Sequence, residues 1–160
     1  MPNENPPIFE YYHVWTDSEG TSHQTKCQIK GFDKSSISKG AAPQWNNHLF
    51  TEQCHVLFVE LPAGWVGEWH ENPEPQWIIP LSGSWWVETM DGERVVMGPG
   101  EFSFGADQNT TDQKGHRSGT EGDEPCRMMI VQIKDPAYRA ALPGIFEFLG
   151  EEGPTAQEEE

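Results

Sequence analysis

The stretch GWVGEWHENPEPQWIIPLSG, residues 64–83, decides the architecture. A glycine opens it, and a polar run carrying His70 follows. The chain then enters QWIIPL, residues 76–81, whose branched and aromatic side chains suit a strand. Strand side chains alternate faces, so Gln76, Ile78 and Pro80 share one face while Trp77, Ile79 and Leu81 share the other. With Gln76 pointing inward, Trp77 packs outside, against a covering segment or a second subunit. Ser82-Gly83 turns the chain into a strand over 84–90, and Asp91-Gly92, a tight-turn dipeptide, leads to another over 94–97. Upstream, CHVLFVEL (54–61) is a strand closed by Pro62-Ala63-Gly64, and strands over 8–16 and 24–31 flank a turn at 17–20. Downstream, Gly98-Pro99-Gly100 precedes a short strand over 101–104, a polar loop spans 106–115, and RMMIVQIK (127–134) is the last strand. Residues 32–47 are rich in Ser, Gly and Pro and are expected to be irregular. A short helix is expected over 137–142, stopped by Pro143-Gly144, with 145–149 apolar enough to dock. Many short strands with closely spaced turn signals give an all-β barrel or sandwich. No alternation of strand with long helix supports a parallel α/β sheet.

The composition agrees. The chain has 160 residues, enough for one core, with 7 Trp and 8 Phe beside 16 Gly and 13 Pro. So many aromatics exclude a disordered chain, and so many Gly and Pro exclude a helical bundle. A net charge of -16 leaves no clustered basic surface for nucleic acid or an anionic membrane. Part of the excess lies in residues 151–160, read as a disordered acidic tail; residues 1–7 read as a flexible arm and 8–150 as the domain. No signal-peptide pattern or bilayer-length apolar run is present, so a cytoplasmic setting is expected. Cys27, Cys54 and Cys126 have neither zinc-finger nor redox spacing, and Cys54 and Cys126 read as small core residues. Phosphate loops, G-x-S-x-G elbows and C-x-x-C pairs are absent from the sequence.

By spacing, residues 64–83 read G-x5-H-x-N-x3-Q-x6-G. This resembles the first motif of the cupin superfamily, G-x5-H-x-H-x3-to-4-E-x6-G, with Asn72 in place of the second His and Gln76 in place of the Glu. The second motif, G-x5-P-x-G-x2-H-x3-N, fits in frame from Gly92: Gly98 replaces the Pro, Gly100 matches, Ser103 stands at the His and Asp107 at the Asn. The resemblance spans residues 12–134. It extends to a group of small single-domain cupins without a settled function, through Glu19-Gly20-Thr21-Ser22-His23, Trp69-His70, Pro73-Glu74-Pro75-Gln76 and the loop from Thr110 to Gly115-His116. It implies a single-domain jelly-roll β-barrel, the double-stranded β-helix, with one small molecule or metal in its mouth.

The leading expectation is a metal-dependent enzyme acting on a small organic molecule, of dioxygenase, isomerase or lyase type. Its cofactor would be a divalent transition metal: iron, manganese, zinc, nickel or copper. The implied ligands are His70, Gln76 and a displaced His116, with His55 as a further imidazole. His70 and His116 are the candidate catalytic residues; Trp69, Asn72 and Arg117 are the candidate substrate contacts. One or two of the clustered Trp side chains would line the pocket, the rest serving core and interface. The alternatives are a metal-free cupin that binds a small molecule as sensor or accessory protein, and a metal-free isomerase or cyclase using His116 as base. Asp107 and Asp112 share the loop of His116 but read as solvated, turn-capping residues. Exposed barrel edges and aromatic outer faces lead to a homodimer.

Overall fold

The computed structural model describes residues 5–49, 51 and 53–147. Residues 1–4 of the expected arm and the whole expected acidic tail lie outside them. Among the described residues eleven strands form: β1 (Phe9–Thr16), β2 (Ser22–Ile29), β3 (Asp33–Ser35), β4 (Gln44–Asn46), β5 (Cys54–Leu61), β6 (Gln76–Ser82), β7 (Ser84–Thr89), β8 (Arg94–Met97), β9 (Ser103–Ala106), β10 (His116–Glu121) and β11 (Cys126–Ile133). A six-stranded sheet runs β2-β1-β9-β6-β11-β5, and a three-stranded sheet, β10-β7-β8, faces it. The result is the expected all-β jelly-roll.

Three expectations for local structure change. The segment 32–47 contains a small hairpin, β3 with β4. The loop after Ala106 ends in a full strand, β10, which pairs with β7 from His116↔Thr89 to Glu121↔Ser84. Its inward residues His116, Ser118 and Thr120 are buried but polar, so it lacks the apolar alternation by which strands are read. The helix expected over 137–142 reduces to one 3-10 turn at Pro136–Tyr138, capped by the Asp135 side chain accepting from the Ala137 N–H. Among the described residues no helix is long and apolar enough to cross a membrane.

Alternation along β6 separates two cores. Ile78 faces inward onto Trp85, Val87, Met97 and Met128. Trp77 faces outward and meets Phe104 and Phe146 at ring-centroid distances of 4.7 and 4.9 Å. Its cover is the C-terminal segment: Tyr138, Ala141 and Phe146 close over Tyr11 and Phe104. Cys126 and Cys27 are buried, whereas Cys54 is exposed because β5 is an edge strand; all three are free thiols.

His13 fastens that cover. Its Nε2 lies 2.6 Å from the Ala141 carbonyl and its Nδ1 3.3 Å from the Tyr11 hydroxyl. Burial lowers its pKa from 6.5 to about 4, against the opposing pull of the Ala141 carbonyl. Its contribution to stability is therefore complete above pH 6.5 and is lost as the pH falls towards 4. Urea unfolding at fixed protein concentration is expected to show wild-type stability falling across that window by an amount on the order of 3 kcal/mol, and His13→Gln flattening the slope. Phe146→Ala, which empties the centre of the outer core, is expected to cost about 3–5 kcal/mol in the same measurement.

Candidate functional site

His70 ends the polar run of the first motif and forms an isolated antiparallel bridge with His116, the first residue of β10. Each backbone N–H donates to the other residue's carbonyl, at 2.8 and 3.0 Å. Residues opposed in this way project to the same side, and the two imidazole centroids lie 4.8 Å apart, with an interplanar angle of 52°. His116 is buried and His70 is exposed, so the pair straddles the lip of the barrel.

Each ring has one nitrogen committed. His70 Nδ1 lies 2.8 Å from the Glu68 carbonyl, and His116 Nδ1 lies 2.5 Å from Asp107 Oδ2. Both partners only accept once Asp107 is ionised, so each Nδ1 carries the proton and each Nε2 is left as the working atom. Asp107 has no exposed surface. Its Oδ1 accepts from the Asn72 backbone N–H at 3.0 Å and from Asn72 Nδ2 at 2.8 Å. Burial opposes ionisation of this carboxyl, but the charge and hydrogen bond of His116, joined by the two Asn72 donors, outweigh it and hold its pKa below the usual carboxylate range.

The donors behind Asp107 form a chain. Gln132 Nε2 donates to Gln76 Oε1 at 3.0 Å, and Gln76 Nε2 donates to Asn72 Oδ1 at 2.6 Å. Register aligns Gln132 with Gln76, and Gln76 with Gly105 of β9. Only glycine fits at 105, because a Cβ there would overlap the Asn72 amide. The loop carrying Asp107 is pinned by Glu71, whose Oε2 accepts from the Thr110 backbone N–H at 2.8 Å and from its hydroxyl at 2.5 Å. It closes at Gly115, where φ is 63° and a Cβ would overlap the His70 carbonyl.

The candidate residues thus divide. His70, His116, Asn72 and Gln76 share one polar assembly. Asp107, read from sequence as loop-solvating, is its buried centre; Asp112 is exposed as expected. Trp69 and Arg117 belong elsewhere: Arg117 alternates away from His116, binds Glu88 at 2.6 Å and lies 5.6 Å from the Trp69 ring, over which Lys114 also sits. His55 lies exposed on β5, opposite Gln132. Gln132 and Gln108, whose Nε2 donates to the Asn72 carbonyl at 3.0 Å, went unnoticed in the sequence. A lone polar residue ending the inward face Met128, Ile130, Gln132 was the available signal.

The family model described as a cupin domain matches residues 57–132. The chain carries a cupin domain. No curated protein matches it. Among solved structures, the crystal structure of protein NMB1881 from Neisseria meningitidis is similar at 15% identity, covering 54% of this chain and 89% of that one, with a TM-score of 0.37. Cupins often hold a transition metal, and this one's donor set fits such a metal poorly. Of the four motif positions, His70 alone offers an imidazole; the Asn72 and Gln76 amides are spent on each other and on their neighbours, and residue 103 is serine. Among the described residues no group of three or more His, Cys, Asp or Glu side chains is placed to hold an ion. Of the ligand set expected from sequence, His70 and His116 stand ring to ring, Gln76 is hydrogen-bonded to Asn72 and Gln132, and His55 lies exposed on β5.

The low pKa of Asp107 fixes an acid limb separate from that of His13. A depressed carboxyl pKa contributes stability that is present above pH ~4, the unfolded value, and lost as the pH falls through the folded one. Asp107→Asn is expected to be less stable than wild type at pH 7 by roughly 1–3 kcal/mol and to lose less stability below pH ~4, read by urea unfolding from pH 7 to pH 2.

Proposed function

We propose that this cupin is a metal-independent enzyme that moves a proton on a small carbonyl compound, with chemistry of the isomerase or cyclase kind. The observation that carries the reading is the 2.5 Å contact between buried Asp107 and His116, beside the ring of His70. In the cycle His116 Nε2 takes a proton from the carbon next to the carbonyl. The C–H electron pair moves into the enolate, and Asp107 stabilises the imidazolium that forms. His70, entering the cycle as an imidazolium with Nδ1–H kept on the Glu68 carbonyl, donates from Nε2 to the enolate oxygen. Return of a proton to a different carbon, or to the other face of the same carbon, completes the change without oxidant or reductant. General acid–base catalysis of this kind contributes about 10²–10⁴-fold. Two inward groups support a polar ligand: the Ser103 hydroxyl and the Trp85 indole N–H are buried without a hydrogen-bond partner, a state that calls for water or substrate. The three unpaired thiols suit a reducing cytoplasm.

Isotope exchange tests this chemistry before any product is identified. A panel of small ketones, aldehydes and keto acids is incubated with the protein in D₂O, and carbon-bound deuterium is followed by NMR. Wild type is expected to accelerate exchange in at least one class, His116→Ala and Asp107→Asn to lower that rate by about 10²–10⁴-fold, and chelator treatment to leave it unchanged. Protein purified without a metal-affinity tag is expected to carry far less than one transition-metal ion per chain. A stoichiometric metal whose removal abolishes turnover and whose return restores it would sink the proposal in favour of the metal-dependent alternative.

A further inference from the structure

The strand β5 ends the six-stranded order, so among the described residues one of its edges has no partner strand. Edge strands are normally protected by lysine, proline, a bulge or a covering segment, since their free N–H and C=O groups are a template for another strand. The opposite edge, β2, is protected: it carries Lys26, and Gln24 Nε2 ties it to the Val87 carbonyl of β7. Among the described residues nothing comparable protects β5. Its sequence is CHVLFVEL, and its pairing with β11 runs without a bulge from Cys54↔Ile133 to Leu61↔Cys126. On the outer face Val56 is 45% and Phe58 76% exposed, and Leu81 at the end of β6 is 53% exposed. Register sets Phe58 beside Met129 and Met129 beside Ile79, making one apolar surface across three strands. Its charges are Glu60 and Arg127, paired at 3.0 Å.

We propose that a second copy of this chain pairs with β5, antiparallel and centred on Leu57, joining two six-stranded sheets edge to edge. Chemistry selects a copy rather than a charged partner. The chain as a whole carries -16 and repels its own kind, but this face adds no net charge. Self-pairing about Leu57 also satisfies three demands together. Residues 54–60 all find partners. Opposed residues share parity, so Val56 meets the partner's Phe58 and the apolar surface runs unbroken across the seam. The two Glu60 carboxylates stand six residues apart along the strand, roughly 20 Å, beyond the ~8 Å screening length of physiological salt.

Light scattering on the eluting peak of a sizing column is expected to give twice 18.1 kDa for the wild type. Phe58→Lys is expected to give a single-chain mass with an unchanged far-ultraviolet dichroism spectrum. Ile37→Lys, at another exposed apolar residue, which lies between β3 and β4 and outside β5, should remain dimeric. The register has its own test, independent of whether Phe58→Lys folds. Centring on Leu57 sets position 60 opposite the partner's Cys54, at the 4.5–5.5 Å Cα separation of opposed residues that a disulfide accepts. Glu60→Cys is therefore expected to form a covalent dimer on mild oxidation, and the same variant with Cys54→Ser to form none. A wild type of single-chain mass, a Phe58→Lys protein that remains dimeric, or crosslinking that persists without Cys54 would each overturn the proposal. None of these outcomes bears on the imidazole pair, because β5 contributes no residue to it.

Discussion

A carboxylate with no exposed surface sits at the centre of this cupin. Moving an ionised carboxyl out of water is costly unless opposite charge and hydrogen bonds replace its hydration. Asp107 is met by three donors: His116 Nδ1–H on one oxygen and two from Asn72 on the other. The requirement is reciprocal. Asp107 fixes the tautomer of His116 by accepting from Nδ1, and it fixes the backbone of Asn72, two residues beyond His70. One buried charge thus sets the orientation of both halves of the imidazole pair, although the two come from segments 46 residues apart in the chain.

The same constraint explains what replaced the motif residues. A histidine at 72 and a glutamate at 76 would offer lone pairs towards the barrel axis. Asparagine and glutamine instead offer one donor and one acceptor each, and both are used: Gln132 donates to Gln76, Gln76 to Asn72, and Asn72 to Asp107. A chain of donors all pointing towards one anion is cooperative, each bond polarising the next. A cation at the same place would find those amide oxygens already occupied. The substitutions therefore convert a set of ligands into a brace for a carboxylate.

How much of this was legible depends on the kind of signal each residue leaves. The inward face of β6 followed from alternation, and Trp77 does pack outside under a covering segment. The strands β5 and β8 were bounded correctly because glycine and proline punctuate them. By contrast, β10 presents His116, Ser118 and Thr120 inward, so its pattern is polar where burial is complete, and local propensity misses a strand held by pairing. Asp107 was undervalued for the same reason. A carboxylate in a polar loop reads as solvated, and only the fold shows that loop descending behind β9, whose four residues are all buried. Spacing put Asp107 at a motif position. Its role required knowing that His116, absent from the motif, returns to face it.

The outer cover and the site are not independent. Gln108, next to the buried carboxylate, donates to the Asn72 carbonyl and accepts from the Ala140 N–H at 2.8 Å. The next residue's carbonyl is the one held by His13. Ala140 itself adopts φ 52°, a conformation that costs an alanine energy and persists because both neighbours are held. The C-terminal segment is therefore clamped at two adjacent residues, Ala141 by its carbonyl towards the aromatic outer core and Ala140 by its N–H towards the polar network. Charging His13 takes away the Nδ1 lone pair that faces the Tyr11 hydroxyl and sets a cation among aromatic rings, while the Nε2–H bond to the Ala141 carbonyl is kept. The segment that closes the outer core is thus tied through Gln108 to the carbonyl of Asn72, on the residue that holds Asp107 in place.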